Sequence, residues 1–155
     1  MKYMSTYIAI LRGINVSGAR PLPMKELKEL FEGLKCGNVR TYIQSGNVIF
    51  EGGKIDPTAF AGKVEAAIKK KYDYEVPVLV RSMEELKAVT KANPYLKHKG
   101  IELDKLHVTF LAEAPKQAEA EKITGTTCGN DSFALHGREV YVHCPDGYGN
   151  SKLNN

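Results

Sequence analysis

Val39-Arg40-Thr41-Tyr42-Ile43-Gln44-Ser45-Gly46-Asn47-Val48-Ile49-Phe50 is the stretch whose reading decides the fold. Residues 39–43 and 48–50 are rich in β-branched and aromatic side chains. Between them, residues 44–47 contain Gly46 and Asn47, which accept the positive φ of a tight turn. The pattern predicts a β-hairpin. Upstream, Met24, Leu27, Leu30, Phe31 and Leu34 recur at three- and four-residue steps, the stripe of an amphipathic helix with Pro23 in its first turn and Gly37 as its stop. Further upstream, residues 7–11 form a short apolar run bounded by Arg12-Gly13, which suits a buried strand. Downstream, Asp56-Pro57 opens a second helix that buries Phe60, Val64, Ala67 and Ile68, and residues 76–81 return to strand. Residues 7–81 thus read β-α-β-β-α-β, the split βαβ arrangement of the ferredoxin-like fold, an α+β class in which helices cover one face of an antiparallel sheet.

The order then begins again. Ser82 and Glu85 have capping-box spacing and start a third helix that ends before Asn93-Pro94. Residues 95–104 connect it to a strand at 107–111, a short helix at 115–123, and a hairpin of 133–135 with 140–144 turning at 136–139. Residues 6–11 match residues 106–111 in pattern, which favours a duplicated unit. The expected organisation is a first ferredoxin-like unit over 1–81, a connecting helix and loop over 82–106, and a second unit over 107–155 that stops after β-α-β-β. A unit short of its last helix and strand leaves a sheet edge or an apolar face to be covered, so self-association through that unit is expected.

Composition narrows the class. The chain has 155 residues, 43% of them hydrophobic, and a net charge of +4, values of a small folded protein and not of a disordered one. The longest purely apolar run, residues 7–11, is far short of the roughly 20 residues of a membrane helix, and the start lacks a signal-peptide profile. A cytoplasmic protein with no membrane partner is expected. Three cysteines, Cys36, Cys128 and Cys144, include no C-x-x-C pair, which supports neither a disulfide framework nor a cysteine zinc site. His98, His107, His136 and His143 lack the spacing of metal ligands, so no metal and no cofactor are expected.

Strand direction locates the candidate site. In a β-α-β-β-α-β sheet the first two strands run the same way, so the loop after the first and the tip of the hairpin lie at one end. Arg12, Asn15, Ser17 and Arg20 then neighbour Gln44, Ser45 and Asn47, together with main-chain N–H groups beside Gly13, Gly18 and Gly46. Such a donor-rich surface at the start of a helix favours phosphate or carboxylate. A second glycine-spaced loop, residues 146–153, offers Tyr148, Ser151 and Lys152 and is not a Walker motif. The competing structural account is that glycines serve turns and Asn and Ser cap their own loops, although a turn does not need an arginine. The expectation is a small-molecule anion site, with no residue assigned as acid, base or nucleophile and enzymatic activity left open. Two alternatives stand beside it. One is an RNA-binding module that uses Tyr7 on the sheet face, although 47–50 lack the aromatic platform of that class. The other is a protein-interaction module.

Leu11-Arg12-Gly13-Ile14-Asn15-Val16-Ser17-Gly18, then Pro23-Met24, Thr41-Tyr42-Ile43-Gln44-Ser45-Gly46-Asn47-Val48 and Gly147-Tyr148-Gly149-Asn150-Ser151-Lys152-Leu153 resemble, in order, the signatures of the bacterial family known as domain of unknown function 1697. The resemblance implies tandem ferredoxin-like repeats, and that members continue past the last segment with a further helix, strand and helix. It implies no activity.

Overall fold

The computed structural model describes residues 4–125, 129–151 and 153. The described residues form two antiparallel sheets and four α-helices, a mixed α and β fold divided into two compact units, Met1–Lys87 and Ala88–Asn155. No described helix is long and apolar enough to cross a membrane.

In the first unit, β1 (Ser5–Leu11), β2 (Gly37–Tyr42), β3 (Asn47–Gly52) and β4 (Val78–Ser82) lie in the order β2-β3-β1-β4, every neighbouring pair antiparallel. Helix α1 (Met24–Gly33) follows β1 and helix α2 (Pro57–Tyr72) follows β3. Burial alternates along β1, so Tyr7, Ala9 and Leu11 join Val48, Phe50, Val78 and Val80 in a core with Leu27 and Phe31 of α1 and Phe60, Val64 and Ile68 of α2. Phe50 packs between two helical rings, at centroid distances of 5.4 Å from Phe31 and 5.1 Å from Phe60. Asp56 caps α2 as its spacing predicts, accepting the Ala59 N–H at 2.9 Å. Helix α1 differs from expectation: Pro23 is its N-cap, and it ends at Gly33 rather than near Gly37. The backbone turns left-handed at Lys35 (φ 65°), and the Cys36 N–H returns to the Phe31 carbonyl.

Helix α3 (Met83–Lys91) opens with the predicted reciprocal cap: Glu85 N–H donates to Ser82 Oγ at 3.1 Å, and Ser82 N–H donates to Glu85 Oε2 at 3.0 Å. The second unit holds β5 (Leu106–Phe110), α4 (Gln117–Thr124), β6 (Ser132–His136) and β7 (Glu139–His143), with sheet order β5-β7-β6. That order repeats β1-β3-β2 of the first sheet. The segment predicted as connector carries two single 3-10 turns, Pro94–Lys97 and Leu103–Lys105.

Candidate functional site

The register of the first sheet brings the two expected loops together. Ile10 stands opposite Asn47, and the Leu11 N–H donates to the Gly46 carbonyl at 2.9 Å, so the exit of β1 touches the hairpin tip. Asn15 locks them. Its Nδ2 donates to the carbonyls of Leu22 and Gln44, both at 2.9 Å, and its Oδ1 accepts the Leu22 N–H at 2.7 Å. Ile14 is buried beneath this tie, and a Cβ on Gly46 would stand 2.7 Å from Ile14 Cδ1 and 2.9 Å from Leu11 Cβ. Only glycine lets the tip close on the loop.

These contacts sort the expected donors. Asn15 is fully used as a structural bracket, and Asn47 Nδ2 donates to Ser45 Oγ at 3.0 Å. The account in which Asn and Ser hold their own loops therefore holds for Asn15, Ser45 and Asn47. Ser17 and Gln44 remain exposed, Ser17 in a tight turn closed by the Val16–Ala19 bridge. The two arginines differ from the rest. Arg12 and Arg20 are both exposed, and neither side chain has an ion pair or hydrogen bond among the described residues. Arg20 Nη1 lies 3.3 Å from where a Cβ on Gly13 would stand, so its guanidinium reaches back to the glycine that follows Arg12.

The charge pattern of these segments is one-sided. Residues 12–25 and 33–50 contain no Asp or Glu, while Arg12, Arg20 and Arg40 lie on or beside the loops. That signal was present in the sequence, and it adds Arg40, exposed on β2, to the expected set. The groove that Arg20 lines is electrically mixed. It measures about 710 Å³ and runs along α2 past Glu65 and Lys69 to Tyr74, Glu75 and Pro77. Lys69 is already held by Glu75 at 3.2 Å and Asp73 at 3.3 Å, which raises its pKa, the Glu75 hydrogen bond most. Glu65 Oε1 accepts the Val78 N–H at 2.9 Å. Arg20 therefore brings a positive charge without an ion pair among the described residues to a groove that Glu65 and Glu75 also line.

Backbone strain gathers at the same end. Asn15 (φ 54°), Ser17 (50°), Arg20 (47°) and Ile43 (51°) all adopt left-handed conformations. For Asn this is tolerable; for a β-branched residue it costs about 1–2 kcal/mol. Ile43, expected in the strand, leaves it for this reason: β2 ends at Tyr42 and the chain must turn to reach Gly46.

The second expected loop belongs to the second unit. Tyr148 packs its ring 4.5 Å from that of His107. Ser151 is buried, donates to Asp131 Oδ2 at 2.6 Å and accepts the Leu153 N–H at 2.9 Å, which folds the loop on itself. Lys152 and Cys128 lie outside the described residues. The RNA reading meets a correction: Tyr7 lies on the helix-covered face, 5% exposed, its ring stacked 5.6 Å from Phe50 and its hydroxyl donating to the Gly53 carbonyl, where no base can reach it. Burial pushes the Cys36 thiol up to about 11 and raises Cys144 as well, so neither is a thiolate at neutral pH. Among the described residues, no group of His, Cys, Asp and Glu is placed to hold a metal ion.

The chain matches the model of a family described as protein of unknown function (DUF1697) over residues 4–141, and it belongs to that family. Its fold is similar to that of the conserved bacterial protein SP0830 from Streptococcus pneumoniae, with a TM-score of 0.75 and 21% identity over 92% of this chain and 78% of that one. No curated protein matches the chain.

Proposed function

We propose that this member of the family binds a small phosphate-bearing or carboxylate-bearing molecule at the end of the first sheet, between the loop after β1 and the hairpin tip. The observation that carries the reading is that Arg12 and Arg20, neither with an ion pair among the described residues, both adjoin Gly13, Arg12 in the chain and Arg20 with its Nη1 3.3 Å from where a Cβ would stand, on segments that carry no acidic residue of their own. Guanidinium presents a planar fork that matches the oxygens of phosphate or carboxylate, and the loop segments themselves contribute no carboxylate. Asn15 is a positioning residue, since it fixes the loop on which both arginines stand. The two sheet orders, β2-β3-β1-β4 and β5-β7-β6, support reading the architecture as tandem ferredoxin-like units built from one duplicated pattern.

Arg12→Ala tests the site. With inorganic phosphate, nucleotides and small carboxylates titrated while amide spectra are recorded, native protein should show shifts confined to residues 12–20 and 44–47. The variant should lose about 1.5–3 kcal/mol of binding free energy, a weakening of roughly ten- to a hundredfold, with an unchanged melting temperature. Binding that persists undiminished in Arg12→Ala, or shifts that map elsewhere, would refute the reading.

A further inference from the structure

Beside the cationic loops stand three large apolar side chains that the fold does not need. Tyr42 is 65% exposed, Ile43 59% and Val16 56%. They sit on adjoining segments, because Val16 follows the Asn15 that bonds to the Gln44 carbonyl, and Gln44 follows Ile43. Ile43 is doubly unfavourable for stability alone, an isoleucine in a left-handed conformation (φ 51°) with its side chain in water. Asn or Gly would serve that turn without strain. Strain kept at an exposed apolar residue points to contact with something outside the fold.

We infer that the ligand of this end is an amphipathic anion, a phosphate or carboxylate joined to an aliphatic or aromatic group, whose charge meets Arg12 and Arg20 and whose apolar part lies on Val16, Tyr42 and Ile43. The inference rests on the anion reading above and deepens it by naming the second half of the ligand. Charge complementarity selects the anion, since residues 12–25 and 33–50 carry no acid. The aromatic and aliphatic surface selects what must be attached to it, because apolar contact adds affinity in proportion to the area taken from water.

The test is a series of inorganic, methyl, butyl and hexyl phosphate, titrated into the native chain below their aggregation concentrations. Affinity should rise about two- to fourfold for each methylene that becomes buried, so hexyl phosphate should bind far more tightly than inorganic phosphate. In Ile43→Asn the dependence on chain length should flatten, inorganic phosphate should bind as before, and the melting temperature should hold or rise as the strain is relieved. Val16→Ser should flatten the series in the same sense. Equal affinity for inorganic and hexyl phosphate in the native chain overturns the inference and leaves the anion reading standing. Chain-length dependence that survives both variants also overturns it, because the apolar contact then lies elsewhere. If no member of the series binds, the anion reading itself fails, and this inference with it.

Discussion

Gly46 shows how a single position sets the geometry of the site. Its φ of +91° lies where L side chains are rarely found, and an added Cβ would run into Leu11 Cβ at 2.9 Å, an atom fixed to the backbone of β1. Gly46→Ala should therefore cost about 1–3 kcal/mol by overpacking and backbone strain, read as a lower midpoint in urea denaturation. A variant as stable as the native chain would show that the hairpin tip can lift off the loop without penalty. The glycine was legible in the sequence as a turn residue, and the juxtaposition of the two loops followed from strand direction alone. The division of labour among polar residues was not legible. Asn15 and Asn47 look like free donors in a string of letters, and only the placement of Leu22, Gln44 and Ser45 shows that both are already spent. Ile43 misled for a related reason: a β-branched residue reads as strand by local preference, whereas the turn geometry overrides that preference.

Among the elements, helices α1 and α2 are joined by more than their shared apolar core. The Glu26 carboxylate, in the first turn of α1, accepts a short hydrogen bond from the Tyr72 hydroxyl at the end of α2 and pairs with Lys71 Nζ at 3.0 Å. The Tyr72 bond foremost, and then Lys71, hold Glu26 below the usual carboxylate range, while Lys71 is raised in turn. The sign of the pH effect follows. A carboxyl group whose pKa is lower in the folded chain than in the unfolded one contributes stability in full above the ordinary carboxylate value, and loses it as pH falls through the folded value. Glu26→Gln should melt below the native chain at pH 7, and the two melting curves should converge as the pH is lowered into the acid range. A gap that stayed constant with pH would show that the clamp acts by packing and not by charge. Helices α2 and α3 were the most legible elements of the chain, because the spacing of apolar residues and the caps at Asp56 and Ser82 are local features. The helix end at Gly33 was not, since it depends on where Lys35 takes up a left-handed turn to reach β2.

At the scale of the whole chain, the two units repeat a strand order but do not share an equal interior. The first has alternating buried positions on β1 and β3, three buried positions on β4 and a cluster of phenylalanines against both helices. In the second, every residue of β5 is only half-buried, β6 and α4 bury none of their described residues, and the buried apolar side chains among the described residues are Tyr95, Tyr141, Val142 and Cys144. Tyr141 is held there by its hydroxyl, which donates to the Val89 carbonyl at 3.0 Å. Apolar burial is the main favourable term in local stability, so the unit with less of it should open at lower free energy. Native-state hydrogen exchange at increasing, sub-denaturing urea should show amides of β5, β6 and β7 exchanging well before those of β1 and β3, in a separate cooperative step. Exchange of both sheets in one step, or slower exchange in β5 and β7, would mean that something other than the described interior of the second unit holds it closed. The proposed anion site gains from this ordering, because Arg12, Arg20 and the hairpin tip stand on β1, β2 and β3 of the better-packed unit, and a ligand bound there meets loops whose supporting strands open last.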